Sequence, residues 1–194
     1  MAPAALSRLP LPTAGVDTSE VMQRFDGRTD EVAGVGLDHV GRAGGASMEW
    51  FVPAPGGRTL AVEDAGDRGG RPVMVHVGTP GGRRLYGPRT LADAERRQLR
   101  LISYDRPGYG GSTAQPGRST ADCACDVRVI CEALGIERLA MWGLSGGGPH
   151  VLACAALLPD LVTAVASLAS LAPYDAEGWT GSRASARTPS RRSG

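Results

Sequence analysis

Apolar runs alternate with helical stretches along most of this chain. Each run predicts a strand, and the runs at 72–77 and 99–104 predict strands buried within the sheet. The runs lie at 72–77, 99–104, 139–142 and 161–168. The helical stretches between and after them lie at 88–98, 120–134 and 145–158. This order predicts an α/β fold with a mainly parallel sheet and helices on both faces.

The regular pattern begins near Met48, and the residues before it show no sustained period. Segments 50–52 and 59–63 have strand character around a Pro-Gly-Gly turn, so we expect an antiparallel hairpin. We interpret 1–47 as an irregular leader and Met48 as an alternative start. The core is then expected at 48–178, followed by a solvated tail at 179–194.

Composition narrows the classes of partner. A net charge of +1 gives no general attraction to nucleic acid or anionic membranes. Four arginines among the serines of the tail are too few to change that expectation. No apolar run is long enough to span a bilayer, and the N-terminus lacks a signal-peptide pattern. We therefore expect a cytoplasmic protein whose partner is a small molecule, with the oligomeric state left open.

Four cysteines fall on two predicted helices. Cys123, Cys125 and Cys131 share one helix and Cys154 lies on the next. The spacing matches no zinc site and no histidine is placed as a further ligand. We expect ordinary reduced thiols, with a redox or metal role as the alternative, and no cofactor.

The pentapeptide Gly143-Leu144-Ser145-Gly146-Gly147 carries the clearest chemical signal. It joins a predicted strand to a predicted helix, which is the context of a nucleophile elbow. Small residues at 143 and 147 let the strand and helix backbones converge around an exposed serine. Ser145 as a simple helix N-cap is the competing interpretation.

A serine nucleophile needs a base and two N–H donors for the oxyanion. The first donor is expected from Gly146, the residue after the serine. The second is expected from the glycine-rich loop at 76–82. We assign it to the Thr79 N–H, with Gly78 as the alternative, because Pro80 has no N–H.

Three motifs together resemble the α/β-hydrolase superfamily. They are His-Val-Gly-Thr-Pro-Gly at 76–81, Asp-Arg-Pro-Gly-Tyr-Gly-Gly-Ser at 105–112 and Gly-Leu-Ser-Gly-Gly-Gly-Pro-His at 143–150. The resemblance covers about 48–178 and implies a serine hydrolase that cleaves an ester or amide. Serine at 145, where epoxide hydrolases and dehalogenases carry aspartate, argues against those branches.

Several polar residues of these motifs have structural interpretations. Asp105 and Arg106 are expected to anchor their loop, with Ser112 capping it. His76 is expected to hydrogen-bond within the oxyanion loop. Neither His150 nor His39, in the leader, is placed as the catalytic base.

The chain departs from the family in its last third. The superfamily order is Ser, then Asp or Glu, then His, but no histidine follows His150. Asp175 is the candidate acid, with Glu177 as the alternative. We expect the chain to correspond to the fold up to about its sixth strand and to lack triad-dependent turnover. A bare edge at 161–168 also predicts poor solubility.

The resemblance implies a specific origin for the tail. Relatives continue with a segment such as Gly-Leu-Asp-Trp-Phe-Ala-Gly. Deleting one C from a GC-rich coding of that segment yields Gly-Trp-Thr-Gly-Ser-Arg-Ala, which stands at 178–184. We therefore interpret 179–194 as an out-of-frame product. Resequencing tests this interpretation, which fails if restoring one base opens no frame with a histidine.

Overall fold

The computed structural model describes residues 38–41, as backbone, and 47–172. Within these residues the chain forms seven strands and three α-helices. The strands are β1 (Asp38–Gly41), β2 (Ser47–Ala54), β3 (Arg58–Gly66), β4 (Arg71–His76), β5 (Leu99–Tyr104), β6 (Leu139–Leu144) and β7 (Val162–Leu168). The helices are α1 (Pro88–Arg96), α2 (Cys123–Ala133) and α3 (Gly148–Leu157).

All seven strands belong to one sheet in the order β1-β2-β3-β5-β4-β6-β7. The strands β5, β4, β6 and β7 run parallel to one another. The strands β1, β2 and β3 add an antiparallel section that joins at β5. The predicted α/β architecture and the predicted hairpin, formed by β2 and β3, are therefore confirmed.

The main core lies between the sheet and the helices α2 and α3. Its central side chains from β4, β5 and β6 are Met74, Ile102 and Met141, each at most 2% exposed. Val127 of α2 and Val151 of α3 are fully buried and belong to the same cluster. The last three residues of β4 and the last four of β5 are buried, as expected of strands covered on both faces, whereas most residues of β7 are exposed.

The second α-helix begins later than the sequence predicts. The Asp122 carboxylate accepts hydrogen bonds from both the N–H and the hydroxyl of Ser119, each at 2.7 Å. These contacts hold 119–122 in a turn, so the helix starts at Cys123. The predicted helical stretch at 120–134 therefore starts three residues too early, and Ser119 does not cap the helix.

A strand lies inside the stretch for which the sequence predicts no regular structure. Residues Asp38–Gly41 pair antiparallel with β2 as β1. This strand precedes Met48 and includes His39 at a position paired with Trp50. Residues 1–37, 42–46 and 173–194 lie outside the described part of the chain.

The face of the sheet under α1 is incompletely filled by the described residues. A cavity of about 390 Å³ lies there. It is lined by apolar side chains from β4, β5 and β6 together with Leu85, Tyr86 and Thr90. The space is separate from the main core, which lies on the opposite face.

Candidate active site

Ser145 stands at the sharp turn where β6 ends. Its backbone has φ of +51°, in the left-handed region that non-glycine residues seldom adopt. The serine is exposed, and a single 3₁₀ turn, Ser145–Gly147, leads into α3. The predicted elbow helix thus starts as a 3₁₀ turn, and the strand, strained serine and helix occur in the order expected of an elbow.

The glycines on both sides of the serine are required by close backbone contacts. A β-carbon built on Gly143 would lie 2.5 Å from the Gly147 carbonyl oxygen. A β-carbon on Gly147 would lie 2.0 Å from the His76 carbonyl oxygen. Both distances are shorter than side-chain carbons tolerate, so the elbow is built around the absence of these side chains.

The loop after β4 lies against the elbow. A β-carbon on Gly78 would lie 3.2 Å from the Ser145 β-carbon. A β-carbon on Gly146 would lie 3.3 Å from the Thr79 nitrogen. The Thr79–Pro80 bond in this loop is cis. The backbones of Thr79 and Gly146 are therefore direct neighbours beside the serine.

Arg106 holds this loop in place from the neighbouring strand. Its Nη1 donates to the Val77 carbonyl at 2.8 Å, and its Nη2 donates to the Thr79 hydroxyl at 3.0 Å. Arg106 is only 3% exposed, and hydrogen bonds of a buried guanidinium restrict the atoms that accept them. The sequence predicts that Arg106 anchors its own loop, and its contacts to 77–79 were not foreseen.

Asp105 closes its own loop, 105–112, and connects it to Arg83, which follows the loop at 76–82. Its carboxylate accepts hydrogen bonds from the Gly111 N–H at 2.8 Å and the Arg83 N–H at 2.7 Å, and it forms a buried ion pair with the Arg83 guanidinium. The Ser112 hydroxyl accepts the Ala61 N–H at 2.9 Å. These contacts support the anchoring role predicted for Asp105.

Arg83 was missed by sequence reasoning. It is 7% exposed and pairs with Glu49 as well as with Asp105. Burial opposes ionisation of Glu49, but hydrogen bonds from Arg83 and Arg84 lower the pKa of this carboxyl on balance. The two acidic partners of Arg83 lie on β2 and after β5, so no local spacing in the sequence predicts these ion pairs.

His76 does not make the hydrogen bonds predicted for it. Its ring packs edge-on against Tyr104 at 5.3 Å and stacks near His150 at 6.0 Å. Neither ring nitrogen has a hydrogen-bond partner among the described residues. Burial, with the positive potential of His150 and Arg106, lowers the pKa of His76 to about 3. The prediction is wrong because the ring is buried against Tyr104 and His150, where no described residue offers it a hydrogen bond.

His150 lies in the first turn of α3. Its Nδ1 donates to the Gly146 carbonyl at 3.0 Å. Burial and the charge of Arg106 lower the pKa of His150 to about 4. No residue of the described chain hydrogen-bonds to the Ser145 side chain. The two histidines whose side chains are described are therefore engaged elsewhere and uncharged at neutral pH.

The remaining predicted site residues cannot be placed. Asp175 and Glu177 lie outside the described residues.

Among 38–41 and 47–172, no group of three or more His, Cys, Asp or Glu side chains is arranged to hold a metal ion. Within the same residues, no helix has the length and apolar character needed to cross a membrane.

Comparison with known proteins agrees with this geometry. A family model described as the alpha/beta hydrolase fold matches residues 71–183. The match covers more than half of the chain, and the chain belongs to this family. The predicted superfamily is confirmed.

Individual relatives are similar over part of their length. Proline iminopeptidase of Xanthomonas citri is 31% identical over 107 residues, which are 50% of this chain and 32% of that protein. A thermophilic esterase from Thermogutta terrifontis shares 28% identity with a TM-score of 0.55, over 66% of this chain and 48% of that one. A putative acyltransferase from Salmonella enterica shares 27% identity with a TM-score of 0.58, over 71% and 47%. The alignments thus span about a third of the curated relative and about half of each solved structure.

Proposed function

We propose that Ser145 is the nucleophile of a serine hydrolase that cleaves an ester or amide through an acyl-enzyme. The observation that carries this proposal is the exposed Ser145 on left-handed backbone, with the Thr79 and Gly146 backbones beside it. A strained serine that is open to solvent is costly for a merely structural turn. The esterase and iminopeptidase relatives support a small-molecule ester or amide as the substrate.

The proposed chemistry proceeds in two steps. The Ser145 oxygen attacks the substrate carbonyl carbon while a base takes its proton, and the alcohol or amine then leaves with that proton. Water attacks the acyl-enzyme and releases the acid. In our assignment, the N–H groups of Gly146 and Thr79 stabilise the oxyanion in both steps.

No base contacts the Ser145 side chain among the described residues. The sequence has no histidine beyond His150, and the described histidines have other neighbours. Loss of the triad histidine costs roughly 10⁶ in kcat. We therefore expect very slow turnover from the 194-residue polypeptide by itself. The same observation favours one alternative, a non-catalytic remnant that retains the fold without the reaction.

Chemical rescue separates these two functions. Added imidazole can act as the base if the nucleophile and the oxyanion donors are in place. We expect the 194-residue chain to hydrolyse p-nitrophenyl acetate faster than Ser145→Ala, with a difference that grows and saturates as imidazole increases. The subtraction removes the reaction of imidazole itself.

A second serine serves as the matched control. Ser167 lies on β7 and contacts Ser170, so Ser167→Ala should keep the rescued rate. Equal rates for the unmodified chain and Ser145→Ala at every imidazole concentration, with both cooperatively folded, would support the remnant and contradict the hydrolase proposal.

A further inference from the structure

The thiols of two cysteines are in contact where α2 packs against α3. Cys123 is the first residue of α2, and Cys154 lies in α3. Their sulfur atoms are 3.5 Å apart, and the two residues are 1% and 0% exposed. Both are free cysteines in the structure. Contact between two sulfurs from different helices gives this pair a chemistry that an isolated buried cysteine lacks.

We propose that Cys123 and Cys154 form a redox-modifiable pair that a low-molecular-weight disulfide converts to an intramolecular disulfide. A sulfur–sulfur bond is about 2.05 Å long, so the sulfurs must approach by about 1.5 Å. The Cys123 thiol already faces α3, where it donates to the His150 carbonyl at 3.4 Å. That carbonyl lies four residues before Cys154, whose N–H is its regular helical donor. When the Cys123 thiol loses its proton, the His150 carbonyl therefore still accepts the hydrogen bond from the Cys154 N–H.

The exchange balances with the reagent as the only oxidant. One cysteine thiolate attacks the disulfide of oxidised glutathione, which gives a mixed disulfide and one glutathione thiol. The second cysteine thiolate then attacks the protein sulfur of the mixed disulfide and releases the second glutathione thiol. Two electrons and two protons pass from the cysteine pair to the reagent.

The surroundings of the pair control its rate. Hydrogen bonding to Cys154, together with burial, raises the pKa of the Cys123 thiol well above its ordinary value. Because the thiolate is the attacking species, exchange is slow while α2 and α3 remain packed. Transient separation of the helices admits the reagent, and repacking returns the two sulfurs to contact. The resulting disulfide is shielded from reductant in the same way.

The bond would join two helices that are otherwise held by packing. Its residues are separated by 31 positions, a loop long enough for a cross-link to restrict the unfolded chain. We therefore expect the oxidised chain to melt several degrees above the reduced chain. This pairing is independent of the chemistry at Ser145.

Neighbouring cysteines supply the controls. Cys131 lies about two turns along α2 from Cys123 and is equally buried. Cleavage after arginine places Cys123 and Cys125 in peptide 119–128, Cys131 in 129–138 and Cys154 in 139–183. A Cys125→Ala background therefore assigns every bond of peptide 119–128 to Cys123.

The experiment equilibrates the full 194-residue chain with oxidised and reduced glutathione, with and without low urea. Remaining thiols are alkylated and the peptides are mapped by mass spectrometry. We expect peptide 119–128 linked to 139–183, unchanged in Cys131→Ala and abolished in Cys154→Ala. Low urea should speed the reaction by opening the helices.

Two results would overturn the proposal. One is thiols that stay unlinked at equilibrium after opening in low urea. The other is a dominant link from peptide 129–138, which would assign the bond to Cys131. Both results are read from the chain with its native cysteines, and the Cys125→Ala background is needed only to distinguish Cys123 from Cys125 within peptide 119–128. A sample oxidised in about 6 M guanidinium, where the chain is unfolded, gives the yield of each linked peptide that random pairing produces.

Discussion

His76 is a buried titratable residue that the catalytic proposal does not use. Its ring fills the space between Tyr104 and His150 without a hydrogen bond to any described residue. Burial keeps it neutral, with a pKa lowered to about 3. Its folded pKa thus lies below the value of about 6.5 expected in the unfolded chain. The resulting stabilisation is complete above pH 6.5 and is lost as the pH falls toward the folded pKa.

The substitution His76→Phe tests this effect. An aromatic ring is retained against Tyr104, but the unfolded chain no longer gains a proton at position 76. Between pH 7 and pH 5, the unmodified chain should lose about 2 kcal/mol more unfolding free energy than the variant. Urea unfolding at the two pH values measures the difference. Tyr104→Phe is the control and should keep the pH dependence of the unmodified chain. If the unfolding free energy of His76→Phe changed between pH 7 and pH 5 as much as that of the unmodified chain, the assignment to His76 would be contradicted.

Gly147 is a residue whose identity the fold determines. A β-carbon there would lie 2.0 Å from the carbonyl oxygen of His76, the last residue of β4. We expect Gly147→Ala to lower the unfolding free energy by about 3 kcal/mol, because backbone on one side must shift. Gly69→Ala is the matched control, since its β-carbon would meet only Asp67 at 3.6 Å. Equal stability of the two variants in urea would show that the elbow does not require glycine at 147.

At the scale of elements, one buried ion pair joins the antiparallel section to the helical layer. Arg58 begins β3, and its Nη2 lies 2.8 Å from the Asp126 carboxylate on α2. The two side chains are 9% and 2% exposed. Burial raises the pKa of Asp126, while the charge of Arg58 opposes that change. Each charge is therefore tolerated inside the protein because the other is present.

Single and double substitutions should reveal this dependence. We expect Arg58→Met or Asp126→Leu alone to cost about 3–5 kcal/mol of unfolding free energy, because each leaves a buried group unpaired. The double variant should cost clearly less than the sum. Arg128→Met, which breaks an exposed pair with Asp160, should cost below about 1 kcal/mol. Chemical denaturation at pH 7 measures all four variants, and additive costs would contradict a coupled pair.

The elements differ in how far sequence predicts them. The strand β5 was predicted at its observed bounds because a short, mainly apolar segment between two helical stretches has few alternatives in an α/β sheet. The start of α2 was misplaced because one side chain, Asp122, stabilises a turn ahead of it. The strand β1 was missed because its four residues have no period of their own, and pairing with β2 stabilises it.

In the whole molecule, too, the sequence predicts some features of the candidate site and not others. The loops at 76–82, 105–112 and 143–147 each follow a predicted parallel strand, and the carboxyl ends of parallel strands share one edge of a sheet. Contacts of Arg106 and Gly78 bear this out. The partners of Arg83 and His76 were not predictable, because they come from strands and helices distant in sequence.

The described sheet ends on β7, which pairs only with β6 among the described strands. Its residues carry no charge, and Leu168 is 49% exposed. An uncharged edge strand offers its free backbone N–H and C=O groups to another chain, which is the reason for expecting poor solubility. That expectation stays a prediction.

The most direct test of the hydrolase proposal is the site of covalent labelling by a fluorophosphonate. The full chain is treated with the probe in the presence of imidazole, and peptide 139–183 is sequenced by mass spectrometry. The account predicts one adduct on the Ser145 oxygen, absent from Ser145→Ala and retained in Ser167→Ala. An adduct elsewhere, or unchanged labelling of Ser145→Ala, would contradict Ser145 as the nucleophile.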